Sequence, residues 1–290
     1  MFPAIFTDLL APVIMGVLLG GLYALVALGL SLVFGVMKLI NVAHGDFVVL
    51  GSYLAYAALT LGGLDPILSL VMGVPLLAAV GFAVYRFLMH RASGISAEAP
   101  LIVAFGISII LQNAIQIVWS PLSRGLTTPY ILASFRLGRS GIPLVYVLDL
   151  VAAAVVMVAL HEFLKRTYLG RAIKAAAQDS KAAQLMGINT DYIHALAFAM
   201  ATASAAVAGV FLGLTFPFTP SSGVAYLIIA FGVVIIGGLG SMLGTFLGGI
   251  MLGLAQSLGG HFFGAAAQMM PVYLTVLVLL TLRPQGLFGR

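Results

Sequence analysis

The chain has 290 residues, 62% hydrophobic and only 7% charged, with a net charge of +5 and a mean hydropathy of +1.18. A soluble domain carries about 25% charged residues, so the composition excludes one and identifies an all-α, polytopic integral membrane protein. No cysteine is present, which removes disulfides, thiolate nucleophiles and Cys-held metals.

A span needs about 20 apolar residues to cross a hydrocarbon core of about 30 Å. The first predicted span covers residues 10–36. No basic residue precedes it, which argues against a cleaved signal peptide and favours an external amino terminus. Gly16, Gly20 and Ala24 form a small-residue ridge on it, where another backbone can approach closely. Asn41 reads as the N-cap of the second span, which runs to residue 61. His44 and Asp46 sit at its mouth, where ionisable side chains either contact a solute or complement the helix dipole.

The third span, 67–89, ends among Arg86, His90 and Arg91. The fourth, 101–119, carries Ser108, Gln112, Gln116 and Ser120 at four-residue intervals, one polar stripe. It either lines an aqueous path or hydrogen-bonds between helices. The loop over 121–141 holds Arg124, Arg136 and Arg139. Counting spans puts it outside, against the positive-inside tendency. The fifth span, 142–164, contains Asp149, either a functional intramembrane carboxylate or an interfacial one.

Residues 165–192 then form a polar loop with Lys165, Arg166, Arg171, Lys174 and Lys181. This charge marks it as cytoplasmic. Asp179 reads as an N-cap, residues 180–186 as a short helix, and Gly187 as its left-handed stop. Ala182, Ala183, Leu185 and Met186 give that helix an apolar side, which suggests docking to a soluble partner.

The sixth span, 193–214, repeats the small-residue ridge with Ala201, Ala205, Gly209 and Gly213. Residues 223–258 are too long for one crossing and read as two segments broken at Gly237, Gly238 and Gly240. Gly240, Gly244 and Gly248, with Gly249 and Gly253, continue a four-residue ladder. The last span, 265–282, ends at Arg283 and Pro284 on the inside. The count is nine crossings, with eight or ten if a segment is re-entrant. The whole chain, 1–290, reads as a single transmembrane domain.

Catalytic signatures fail. No lysine is followed by Ser or Thr as a phosphate-binding loop needs, and His161-Glu162 lacks the closing histidine of a zinc protease. Ser241 and His261 are the candidates for an intramembrane serine protease, without the expected surrounding sequence. The reading is therefore of a non-enzyme without cofactor or metal, whose charge reflects topology rather than nucleic-acid binding.

GLYALVALGLSLVFGVMKLINVAHGDFVVLGSYLAY resembles the opening of the LivH-type permeases of branched-chain amino-acid ABC importers. RTYLGRAIKAAAQDSKAAQLMGIN resembles their coupling loop, and GGLGSMLGTFLGG with LRPQGLFG their carboxy-terminal pattern. Members often show Asp-Pro at the start of the coupling helix, where this chain has Asp179-Ser180. The resemblance implies the permease subunit of such an importer in a bacterial inner membrane. It implies a second homologous permease, two cytoplasmic ATPase subunits and a periplasmic binding protein as partners. It makes Ser180 to Met186 the coupling helix, with Asp179 and Gly187 as its caps, and leaves the solute path open. Candidates for that path are Asn41, His44, Asp46, Ser108, Gln112, Gln116 and Asp149. Similar permeases carry urea, amides or other amino acids. A self-sufficient secondary transporter or channel is the alternative class, although paired ionisable residues for ion coupling are missing.

Overall fold

The computed structural model describes residues 2–96, 98–137, 140–283 and 286–288. Arg139 and Pro284 lie outside them. Among the described residues, nine helical stretches are long and apolar enough to cross a membrane. In chain order the helices are α1 (Phe2–Met37), α2 (His44–Gly62), α3 (Leu70–Val84), α4 (His90–Ser93), α5 (Ala99–Trp119), α6 (Leu144–Arg166), α7 (Tyr168–Gln178), α8 (Ser180–Leu185), α9 (Thr190–Thr215), α10 (Gly223–Gly237), α11 (Met242–Phe263) and α12 (Met270–Leu282). A single π turn, Tyr85–Met89, joins α3 to α4 without a break in the rod. The loop predicted at 121–141 contains a small antiparallel hairpin, β1 (Ser134–Leu137) with β2 (Ser140–Pro143), which pairs Phe135 with Ile142.

α1 and α9 are the buried centre, and α3, α5, α6 and α12 turn mostly apolar faces outward. The small-residue ridges explain the centre. A Cβ on Gly16 would meet the backbone of Leu254, and one on Gly20 that of Ile250. A Cβ on Gly249 would reach Ala24, and Gly253 faces Gly16 and Gly20. Two ladders more than 200 residues apart thus interlock, α1 against α11, backbone on backbone. On α9, Gly209 accepts the approach of α2, and Ser52 Oγ donates to the Gly209 carbonyl at 2.6 Å. Tyr23 and Gln256 add a buried hydrogen bond between α1 and α11.

One side of the bundle gathers the ends of α1, α4 and α6, helices α7 and α8, and the turn between α10 and α11. It carries Lys38, Arg86, Arg91, Lys165, Arg166, Arg171, Lys174, Lys181 and, past α12, Arg283. The other side holds the hairpin loop and Arg124. The first is called the basic side below.

The capped surface helix and the Asp46 junction

On the basic side α7 lies after α6, with Thr167 Oγ1 accepting from Gly170 N at 2.9 Å as its N-cap. Its Ala172, Ile173 and Ala176 are buried, while Arg171 and Lys174 are exposed. α8 follows directly. The Asp179 carboxylate accepts from Lys181 N at 2.9 Å and Ala182 N at 3.0 Å, satisfying two of the free N–H groups of the first turn. At the other end Gly187 takes φ +82°. Gly187 N donates to Gln184 O at 2.9 Å and Ile188 N to Ala183 O at 3.1 Å. These are the two bonds of a Schellman stop. Gln184 Nε2 ties the helix to Thr190 Oγ1 of α9 at 2.6 Å.

The predicted apolar side of α8 divides in two. Ala183 is buried against α7 and α9, so it anchors the helix to its own chain and does not belong to the outer face. Leu185 and Met186 are 89% and 82% exposed. Met186 is the C-cap rather than a helical residue. Ala182 is exposed beside them.

The second location is where α2 begins. Asn41 is not its N-cap. The helix starts at His44, and Asn41 Oδ1 instead accepts from Ala43 N at 3.1 Å. The reason is that residues 38–43 turn back into the bundle before helix resumes. Asn41 is buried, and His44 Nε2 donates to the Val26 carbonyl at 2.9 Å. Val26 lies about three turns before the end of α1. α2 therefore starts well inside the bundle.

There its first turn meets the first turn of α10. A Cβ on Gly45 would overlap the Gly223 carbonyl, and one on Gly223 would overlap the Asp46 carboxylate. Helix N-termini carry partial positive charge, and Asp46 sits at both. Gln112 Nε2 of α5 donates to Asp46 Oδ1 at 3.0 Å and to Ser108 Oγ at 3.2 Å. Two helix starts held at depth with polar groups between them are the arrangement by which discontinuous helices build solute sites.

The structure thus gathers Asp46, Ser108 and Gln112, with His44 and Asn41 on the same segment. It separates Gln116, which is exposed, and Asp149, which is buried in α6 and accepts from Thr215 Oγ1 at 2.8 Å. Ser120 has left the helix with φ +67° and accepts from Arg124 at 3.3 Å, so the predicted stripe ends early. Gly223 is not among the candidates that the sequence singles out. A glycine opening a helix after Pro220, Ser221 and Ser222 was the available signal, but nothing local names its neighbour. Ser241 caps α11 by accepting from Gly244 N at 3.1 Å, and His261 is in that helix's last turn. The two stand at opposite ends of one helix and cannot form a catalytic pair.

A family model described as branched-chain amino acid transport system / permease component matches residues 13–282. The permease protein BraD of the high-affinity branched-chain amino acid transport system of Pseudomonas aeruginosa is 35% identical over 289 residues, covering 95% of this chain and 94% of its own. LivH of the corresponding Salmonella typhimurium system is 33% identical over 290 residues, with 95% and 94% covered. Among solved structures, PsaBC from Streptococcus pneumoniae in complex with Fab superposes with a TM-score of 0.50 at 15% identity, over 92% of this chain and 89% of that one. That likeness concerns the fold.

Proposed function

This chain belongs to the branched-chain amino acid transport system permease family, and from that premise we propose that it is the membrane-spanning permease subunit of an ATP-binding-cassette importer for leucine, isoleucine and valine. In this reading 1–290 is one permease domain of a bacterial inner membrane. The basic side and the carboxy terminus face the cytoplasm, as the distribution of Lys and Arg favours. A second homologous permease completes the conduit, two ATPase subunits act from below, and a periplasmic binding protein delivers the solute.

The observation that carries the reading is α8: a rod closed at both ends by Asp179 and Gly187, pinned inward by Ala183, with Leu185 and Met186 presented to solvent on the basic side. A short helix with fixed ends transmits a push as a rigid body, and an unsatisfied apolar face gives a partner its grip. α7 and α9 connect it to the centre of the bundle, so displacement of α8 reaches α1 and α9. The Asp46 junction is the proposed element on the path. Relative motion of α2, α5 and α10 would open or shut the polar seam, in the manner of rocking around a fixed site.

The test is reconstitution. The chain is co-purified with its co-expressed partner subunits, and ATP-driven uptake of labelled leucine into vesicles is measured, with urea and acetamide as competitors. Uptake should require ATP and the ATPase subunits and should be competed by isoleucine and valine. Gradient-driven uptake by the chain alone would overturn the reading in favour of a secondary transporter.

A further inference from the structure

A cavity of about 290 Å³ opens on the basic side between α1, α6, α7 and the turn into α11. Leu32, Val36, Leu164 and Ile173 form its buried floor, and Lys174 and His161 stand exposed at its rim. Neither the coupling helix nor the Asp46 junction uses it.

The surroundings identify an occupant. Down the outer face of α6 run Val151, Val155 and Val158, each more than half exposed. The same face continues into His161 and then Lys165 at the helix end. Apolar side chains giving way to a polar imidazole and then a lysine at a span end is the pattern of a surface that meets hydrocarbon first and headgroups next. α7 repeats it crosswise, with Ile173 turned in and Arg171 and Lys174 turned out, as interfacial helices do. Of the nearby carboxylates, Glu162 is paired with Arg166, and Asp179 caps α8 away from the residues that line the cavity. Among the described residues, Lys174 is the one charged side chain lining the cavity, above an apolar floor.

We propose that this cavity binds an anionic phospholipid, with an acyl chain against Leu32, Val36 and Ile173 and its phosphate at Lys174 and His161. A free phosphate has no use for the floor, and a zwitterionic lipid leaves the charge of Lys174 without a net counter-charge. A lipid seated there touches α1, α6 and α7 together, so it would brace the base on which α8 stands. The proposal rests on the basic side being a membrane surface, not on α8 being the seat of an ATPase. Loss of ATPase binding would leave it standing.

The test uses the complex purified with its partner subunits, placed in phosphatidylcholine nanodiscs, and a phosphatidylglycerol probe bearing a photoactivatable acyl chain. The probe should label peptides containing residues 31–36 and 173–177. Lys174→Gln should reduce that labelling about fivefold, the factor that corresponds to about 1 kcal/mol for one lysine beside an anionic headgroup. Ala177→Phe, which fills the cavity from its wall, should block it while labelling near Val158 persists. Labelling unchanged in both variants, or equal labelling by a phosphatidylcholine probe, would mean hydrocarbon contact without a site and would overturn the proposal. Displacement by inorganic phosphate would point to a free-anion site, and labelling seen only after the ATPase subunits are stripped would give the cavity to that partner. Either result also overturns it.

Discussion

Gln112 Nε2 on α5 donates to Asp46 Oδ1 in the first turn of α2 across 3.0 Å. The bond joins two elements 66 residues apart in sequence, at the point where α2 and α10 begin against each other. A hydrogen bond contributes about 0.5–1.5 kcal/mol net, and about 1.5–3 kcal/mol where one partner is charged. A double-mutant cycle with Asp46→Ala and Gln112→Ala, read from the midpoints of detergent-induced unfolding, should return a coupling of about 1–3 kcal/mol. Leucine uptake should fall in each single variant. Strict additivity of the two substitutions would mean the pair does not hold the junction.

The interlocked ladders give a prediction with its own control. Gly20→Val forces a side chain into the backbone of α11, whereas a Cβ on Gly73 in α3 meets nothing within 4 Å. Overpacking a filled contact costs about 1–3 kcal/mol, and here the obstacle is backbone, which yields less than a side chain. Gly20→Val should lower the thermal midpoint clearly and Gly73→Val hardly at all, beyond its helix propensity. Equal effects would show that α1 and α11 are not packed this closely.

Much of this was legible in the chain because glycine at four-residue intervals has few other uses in a span. The nine helices long and apolar enough to cross a membrane, among the described residues, are legible for a similar reason: charge and apolar length are local quantities. The caps of α8 were readable too, since Asp179 and Gly187 act on their own neighbours. What was not readable depended on partners distant in sequence. Asn41 looked like a cap because nothing local reveals that residues 38–43 fold back toward Val26. Ala183 looked like part of a docking face because the inward pull of Ile173 and Ala197 is tertiary. The meeting of Asp46 with Gly223 has no local signature at all.

The ends of α8 should separate stability from docking. At φ +82° a β-branched side chain is strained by about 1–2 kcal/mol, so Gly187→Val should fray the helix. Asp179→Ala should do so by about 0.5–2 kcal/mol. Hydrogen exchange at Ala182 and Ala183 should quicken in both. Leu185→Asp should leave that exchange alone yet abolish co-purification of the ATPase subunits. Undiminished co-purification of the Leu185→Asp variant would remove α8 as the partner's grip.

On the opposite side, Tyr130 sits in the loop before the hairpin and donates to Asp65 Oδ1 at 3.3 Å. Burial pushes its hydroxyl up to about 12; Thr128 opposes this, and the Asp65 carboxylate reinforces it. The folded state thus holds the proton more tightly than the unfolded chain, where tyrosine titrates near 10. This contribution to stability is complete below about pH 10 and is lost as pH rises from about 10 through about 12. Subtracting the tyrosinate absorbance titration of Tyr130→Phe from that of the parent should reveal one late-titrating phenol. A phenol titrating near 10 would contradict the buried contact.

Arg124, one of three arginines in the loop opposite the basic side, has a structural reason to be there. Its guanidinium donates to the Tyr56 hydroxyl at 3.2 Å, the Trp119 carbonyl at 3.2 Å and Ser120 Oγ at 3.3 Å. Its carbon lies 5.5 Å from the centre of the Tyr56 ring, and its backbone pairs both ways with Phe218. One side chain therefore ties the end of α2 to the end of α5, beside the turn that leads into α10. A planar fork can do this, whereas a lysine ammonium offers one point charge and no stacking face. Its position is thus fixed by geometry and not by the charge bias that orients the spans. Arg124→Lys keeps the charge and should still lower the thermal midpoint by an amount close to Arg124→Gln. Arg171→Lys, an exposed residue with one bond to the Arg166 carbonyl, should be nearly silent. If lysine at position 124 behaved like the parent, charge alone would be what the site requires, and the clamp between α2 and α5 would have to be assigned elsewhere.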